Sequence, residues 1–511
     1  MKMSGRLNFV FIVGLMSALA LPGQEIEKPK KTKAADDSVF VISPQEAATN
    51  QNYQQLYRPQ FHYTPIQGFI GDATGLIYSD GTYHLFYMSD KWERRKNLHK
   101  RWGHATSPDL LHWDEQPSVL DTVLDHHPGS GSGIVDWDNV LGLAQGPDKT
   151  LVVFYTDYQT GSCILYSTDG GKTWIRHPRN PVLPRMEEGD RDPNVFWYAP
   201  AKQWRMVRHA QPFDGGDKST TGFVFYSSAN LLDWTYLSKI GGFNECPDIF
   251  ELPVDGNPHN QKWVLMDASY DYRVGTFDGT QFLPETDKLR ADAAAPRYLY
   301  ACQTWKKSRA GDQPPVQMGF MRFPKNPAEI PVRLVWYDQM TFPVDLSLKT
   351  FPEGVRLCRE PVPAIQKLYR DQKSWDAFPL KPGDNPLANV AGDQLDIHAE
   401  FDLGSATAID FGIRGQTLHY SITSRELDLA GTKAPVSLAG KHLCLRLLVD
   451  SSSIEAFANY GQASISRVFF FDPAQKQYSL TCEGGQVGVT SLVVNHIGSI
   501  WSGKKTPAIL K

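Results

Sequence analysis

Carboxylates in turn-rich, strand-like surroundings occur at three widely separated places in this chain. They are Asp72 in Gly71-Asp72-Ala73-Thr74-Gly75, Asp192 in Asp190-Arg191-Asp192-Pro193-Asn194, and Glu245 in Asn244-Glu245-Cys246-Pro247-Asp248. A few carboxylates suffice to cleave a glycosidic bond, provided they hold different protonation states and converge on one sugar. One must stay ionised; another must keep a proton, through burial or like-charge proximity, to deliver to the leaving group. A third can accept hydrogen bonds from sugar hydroxyls, and Arg191 beside Asp192 is expected to hold that carboxyl ionised. An Asp in a Gly-rich or Pro-flanked turn is by itself more often a backbone-bonding residue. The ordered trio inside one repeating β-pattern is what points to chemistry.

Side chains so remote in sequence meet only if the fold gathers them. Helical periodicity is scarce, and short β-type runs separated by Gly, Asp, Asn and Pro turns dominate. Thr82–Met88, Leu151–Tyr155, Gly222–Tyr226 and Lys262–Met266 are such runs, and Asp80-Gly81 and Asp278-Gly279 read as hairpin turns. A weak repeat runs through Ser107-Pro-Asp109-Leu-Leu-His-Trp113, Ser167-Thr-Asp169-Gly-Gly-Lys-Thr-Trp174 and Ser228-Ala-Asn230-Leu-Leu-Asp-Trp234. In each, a polar turn residue bonds its own backbone and a Trp anchors the next strand. Even spacing of about 60 residues fits one four-stranded propeller blade per repeat. Successive blades would bring their innermost strands, and carboxylates on them, to one axial funnel. The Pro-punctuated stretch 351–382 is expected to be a linker, with a short helix over Ala364–Asp371. Beyond it, Leu395–Leu403, Ala408–Ile413, Leu443–Val449, Ser453–Ala458, Gln477–Thr481 and Val487–Val493 read as the strands of a β-sandwich. The fold class is therefore all-β.

With 511 residues the chain expects two domains. A net charge of −4 and the lack of a long basic run beyond the first residues exclude a nucleic-acid footprint. Lys2 and Arg6, the apolar run Leu7–Leu21 and the small-residue site Ala18-Leu19-Ala20 read as a signal peptide over 1–20, followed by a polar, flexible lead over 21–52. The apolar run is shorter than a comfortable span, so no membrane span is expected after cleavage, and a secreted or periplasmic location follows. Six scattered cysteines show no metal-binding spacing. No metal and no cofactor are called for.

The residues together resemble glycoside hydrolase family 32, the invertases, inulinases and levanases. The likeness rests on Trp102-Gly-His-Ala-Thr-Ser107 with Leu111-His-Trp113, Ser130-Gly-Ser132 with Val135-Asp136, Arg191-Asp192-Pro193, Glu245-Cys246-Pro247-Asp248, Gln303-Thr304-Trp305, Arg356-Leu-Cys-Arg-Glu-Pro-Val362 and Ser452-Ser-Ile-Glu-Ala-Phe-Ala-Asn459. The resemblance implies a five-bladed β-propeller over 53–350 and a C-terminal β-sandwich over 383–504. It implies an oligo- or polysaccharide substrate bearing terminal β-fructofuranosyl units. It also implies Asp72 as nucleophile, Glu245 as acid and then base, Asp192 as transition-state stabiliser, and Phe69, Gly71, Ser130, Arg191 and Trp305 around the fructose. Trp102, Trp113 and His104 are expected to be structural. The first motif departs from the family's W-M-N-D-P-N-G: this chain has Phe69-Ile-Gly-Asp-Ala-Thr-Gly75. Met88 stands where a sugar-binding Gln is usual, Gly129 replaces an aromatic, and Pro296-Arg297-Tyr298 departs from G-x-D. These changes imply an altered pocket.

Overall fold

The computed structural model describes residues 53–502 except 54, 91–100, 122–126, 145, 214–219, 307–314, 325, 327–328, 333 and 439. The expected signal peptide and lead, and Trp92 in the charged stretch 91–100, which the sequence suggests for the funnel rim, lie outside the described residues.

Five antiparallel sheets, each entered by its innermost strand, form the propeller. These strands are β1 (Gly68–Ser79), β2 (Pro128–Asp136), β3 (Arg191–Tyr198), β4 (Asp248–Pro253) and β5 (Leu299–Trp305). Each packs against the next, and β5 returns to β1, which closes the ring. A short strand, Trp336–Tyr337, pairs in parallel with Gly68 and Phe69 and adds a late segment of the chain to the first blade. Val, Ile, Leu and aromatic side chains pack between the blades, as period-two strands sandwiched between neighbouring sheets require.

The repeat is visible as three near-identical turns. Ser107, Ser167 and Ser228 donate to Asp109, Asp169 and Asn230 at 3.3, 2.7 and 3.2 Å. The indole N–H groups of Trp113, Trp174 and Trp234 each donate to a turn carbonyl at 3.0 Å. Serine and Asp/Asn supply the turn's hydrogen bonds, and the Trp fixes where the outer strand leaves it.

The 351–382 stretch, expected to be a linker, is made largely of regular elements. Gly354–Pro361 pairs with Val344–Phe351 as the outermost strand of the fifth blade. Pro363–Leu368 forms a 3-10 helix, and Tyr369–Trp375 and Phe378–Leu380 already pair with Val487–Ile497 of the sandwich. Proline is tolerated here because it sits at strand ends and at the first helical position. The sandwich has a seven-stranded and a five-stranded sheet.

The C-terminal Ser-Ser-Ile-Glu motif fastens the sandwich to the propeller. Ser452 and Ser453 bond Gln339, while Glu455 accepts from His62 at 2.7 Å and from the Phe342 backbone at 3.1 Å. The other ring nitrogen of His62 meets Asp450 at 2.8 Å, and Asp450 also accepts the backbone N–H groups of Gln60 and Phe61. Arg359 adds a buried ion pair to Asp292 at 3.2 Å, and both side chains bond Ser464. Burial alone would lower the His62 pKa, but its hydrogen bonds to Asp450 and Glu455 carry it up to about 9. A folded-state pKa above the unfolded value near 6.5 stabilises fully below that value, and the stabilisation is lost as pH rises through the folded one. We therefore expect about 3 kcal/mol of stability to disappear between roughly pH 6.5 and 9. Calorimetric melting across that range checks it: the descent in Tm should be present in the wild type and absent in His62→Gln.

Candidate active site

The inner strands are irregular at one level of the funnel. Pairing slips between Ile70 and Ala73 in β1, Gly129 and Gly131 in β2, Arg191 and Asn194 in β3, and Tyr300 and Gln303 in β5. Asp192, Cys246 and Ala301 adopt left-handed backbone, with φ of 60°, 48° and 46°. Bulges re-aim side chains, and strained residues persist only where their surroundings fix them. Asp192 is so fixed: its N–H donates to Thr156 Oγ1 at 2.7 Å, and its carboxylate accepts the Cys246 N–H at 3.0 Å.

These distortions bring the three predicted acids together. Ser130 donates to Asp72 at 2.8 Å. The Cys246 thiol lies 3.9 Å from Asp72 and 3.6 Å from Asp192, so a single sulfur touches both carboxylates. Arg191 places Nη2 2.9 Å from Glu245 Oε1 and Nε 3.7 Å from Asp192, and so joins the remaining pair. The opposite oxygen of Glu245 accepts from the Tyr300 hydroxyl at 3.1 Å, and Asn244 donates to that hydroxyl at 3.0 Å. Asp192 is 3% exposed and Glu245 34%, so Asp192 lies on the floor and Glu245 at the mouth.

The electrostatics differ from the sequence expectation in one respect. Burial, reinforced by Glu245 and Asp72, outweighs Arg191 and the Cys246 N–H and pushes the Asp192 pKa up to about 7. Arg191 is the strongest charge acting on Asp192, but the burial of that carboxyl is the larger effect. Burial, with the neighbouring anions, raises the Cys246 thiol well above its usual range and keeps it protonated.

Phe69 and Gly71 lie beside Asp72, and the Phe69 ring covers Gly71: a Cβ there would stand 2.8 Å from it. Trp305 is placed elsewhere than predicted. It is buried in the wall between the fifth and first blades, donates to the His84 carbonyl at 3.0 Å and stacks on Trp113 at 5.9 Å. The aromatic of β5 that reaches the carboxylates is Tyr300, five positions earlier. Gln303 and Thr304 tie blades together instead, to the Gly131 carbonyl and to Asp248. Trp102 is fully buried, donating to the Gly129 carbonyl, and His104 pairs with His84 at 3.1 Å, so both are structural. Sequence reasoning missed Tyr300, Asn244 and Thr156. Of these, only Asn244 sits inside a motif that had been singled out.

Three carboxyl groups from separate blades converge in this funnel, one buried on its floor and one accessible at its mouth, the arrangement that glycoside hydrolysis requires. This chain belongs to glycosyl hydrolases family 32: residues 62–361 match the family's N-terminal domain and residues 364–496 its C-terminal domain. It is 33% identical to a levanase of Bacillus subtilis over 505 residues, covering 89% of this chain and 72% of the levanase. It is 27% identical to an extracellular exo-inulinase of Aspergillus niger, covering 88% and 96% of the two chains. The fold superposes on the crystal structure of the exo-inulinase of Aspergillus awamori with a TM-score of 0.77 at 24% identity, covering 88% of this chain and 100% of that one.

Proposed function

We propose that this enzyme releases terminal β-fructofuranosyl units from sucrose-, levan- or inulin-type substrates with retention of configuration, outside the cytoplasm. Asp72 attacks the anomeric carbon while Glu245 gives its proton to the glycosidic oxygen, so the leaving sugar departs as an alcohol. Water then attacks the fructosyl–Asp72 ester, Glu245 takes a proton from it, and the Asp72 carboxylate is restored. Asp192 receives hydrogen bonds from fructose hydroxyls on the floor of the pocket. Arg191, between Asp192 and Glu245, contacts both carboxyl groups and fixes their spacing around the sugar. Ser130 holds Asp72 in line, and Phe69 over Gly71 forms a wall of the subsite.

The observation that carries this reading is the linkage of all three acids through the Cys246 thiol and the Arg191 guanidinium. Names of relatives that include "levanase" and "extracellular exo-inulinase" support the substrate class and the location. Incubation with sucrose, levan and inulin should release fructose from at least one, and NMR taken within the first turnovers should show the β-anomer. First-formed α-fructose would overturn retention; no release from any of them, by folded enzyme, would overturn the substrate class.

The Phe69 ring over Gly71 favours a second reading, in which the subsite accepts a furanoside other than fructose. There is no room at position 71 for a hydrogen-bonding side chain unless that ring moves. Turnover of a non-fructose furanoside alone, in a panel of aryl glycosides, selects it.

A further inference from the structure

Gly129 immediately precedes Ser130, the residue that donates to Asp72. A Cβ on Gly129 would stand 2.9 Å from two ring carbons of Tyr158 and 3.0 Å from the Cβ of Thr156. Separations under about 3 Å force something to move, so the bare glycine is what lets the Tyr158 ring settle against β2. Tyr158 follows directly on the strand Thr150–Asp157, whose Thr156 holds the Asp192 backbone and donates to the Ser130 carbonyl. The backbone of Tyr158 is secured on both sides, its N–H donating to the His127 carbonyl and its carbonyl accepting from Arg185. The ring is half-buried. Beyond burial, the charges that act on its phenol are Asp192 foremost, then Arg191, Asp72 and Glu245, and the net effect raises its pKa. The hydroxyl therefore stays protonated and can donate wherever the carboxylates accept.

We propose that Tyr158 is a substrate-contacting residue whose ring, admitted by Gly129, walls the sugar subsite and whose hydroxyl donates to the sugar held between Asp72 and Asp192. The inference rests on the β-fructosidase reading above and adds a specificity element to the same pocket. The sugar meets an apolar face on this side and one donor beside two acceptors, an arrangement suited to a ring with a C–H face and neighbouring hydroxyls.

The test compares wild type, Tyr158→Phe, Tyr158→Ala, Gly129→Ala and the double variant Tyr158→Ala/Gly129→Ala. Fructose release and melting temperature are measured for each. Tyr158→Phe keeps the ring and should lower kcat/KM about 5- to 10-fold, the loss of one hydrogen bond, with Tm unchanged. Gly129→Ala should lower it further by displacing the ring, and should cost much less when Tyr158 is already Ala, where only the 3.0 Å approach to Thr156 remains. Tyr158→Phe indistinguishable from wild type, or fully additive losses in the double variant, overturns the proposal. Should the wild type release no fructose, the parent reading fails, and calorimetric titration with fructose then decides this one. Binding by wild type that weakens at least 5-fold in Tyr158→Phe upholds it. Equal affinities, or no binding by wild type, overturn it.

Discussion

Asp72→Asn is expected to lower kcat on any accepted fructoside by about 10⁵-fold while leaving the fold and the sugar affinity intact. The amide keeps the volume of the carboxylate, and its oxygen can still accept the Ser130 hydroxyl that now donates to Asp72 at 2.8 Å. The Ser130 hydroxyl keeps its acceptor, so no large stability penalty is expected. What disappears is the lone pair that forms the bond to the anomeric carbon, and neither neighbour replaces it. Asp192 lies on the floor with its pKa near 7, and Glu245 is held by Arg191 and Tyr300. Steady-state fructose release, with calorimetric binding of fructose as the folding and affinity control, checks the expectation. Retention of more than about a thousandth of wild-type kcat would remove Asp72 from the nucleophile's role, because a general electrostatic contribution accounts for losses of about 10²–10³-fold.

What the sequence made legible, and what it hid, divides along physical lines. The acids were readable because each sits in a dense local motif, and the blade period had a handle in the Ser-Asp/Asn-Trp turns, where side chains bond the adjacent backbone. Strand interiors such as Ala408–Ile413 and Ser453–Ala458 were readable to the residue from their apolar patterning. The misplacement of Trp305 has a different origin. A β-strand traversing the funnel presents suitable side chains along its whole length, and alternation reports which face a residue takes but not which end is the mouth. Tyr300 and Trp305 lie on one strand, one beside the acids and one in the wall. Tyr158 left no signal, since it stands in a hairpin turn and its significance depends on the glycine opposite. The prolines between 351 and 382 misled because proline marks strand edges and helix starts as readily as linkers. The expectation for Arg191 failed because sequence adjacency to Asp192 says nothing of how deeply that carboxyl is buried or of the anions gathered beside it.

Asp192→Asn should act in opposite directions on function and stability. In the wild type, burial raises this carboxyl to about 7 in the folded state, against a usual value of 3.8. A group whose folded pKa is raised contributes most favourably below its unfolded pKa, and that contribution is lost as pH rises through the folded value. Between about pH 4 and pH 7 the wild type must therefore either keep a proton that the unfolded chain has released or ionise a buried group. By linkage the accumulated penalty is on the order of 4 kcal/mol above pH 7. Asparagine cannot ionise and escapes it. It retains an oxygen for the Cys246 N–H, and the neighbouring backbone bond from Asp192 N–H to Thr156 does not depend on the side chain. The variant should thus melt at the same temperature as the wild type near pH 4 and increasingly above it up to pH 7, with the gap constant beyond. At pH 8, where the wild-type carboxyl is ionised, the variant's kcat/KM should fall about 10³-fold below the wild type, because the anion that strengthens hydrogen bonds from the sugar hydroxyls in the transition state is gone. Paired melting and turnover measurements at pH 4, 5.5, 7 and 8 decide the matter. A variant less stable than the wild type at pH 8 would mean that the Arg191 contact at 3.7 Å outweighs burial, and the carboxyl on the funnel floor would then be an ordinary ionised partner rather than a strained one.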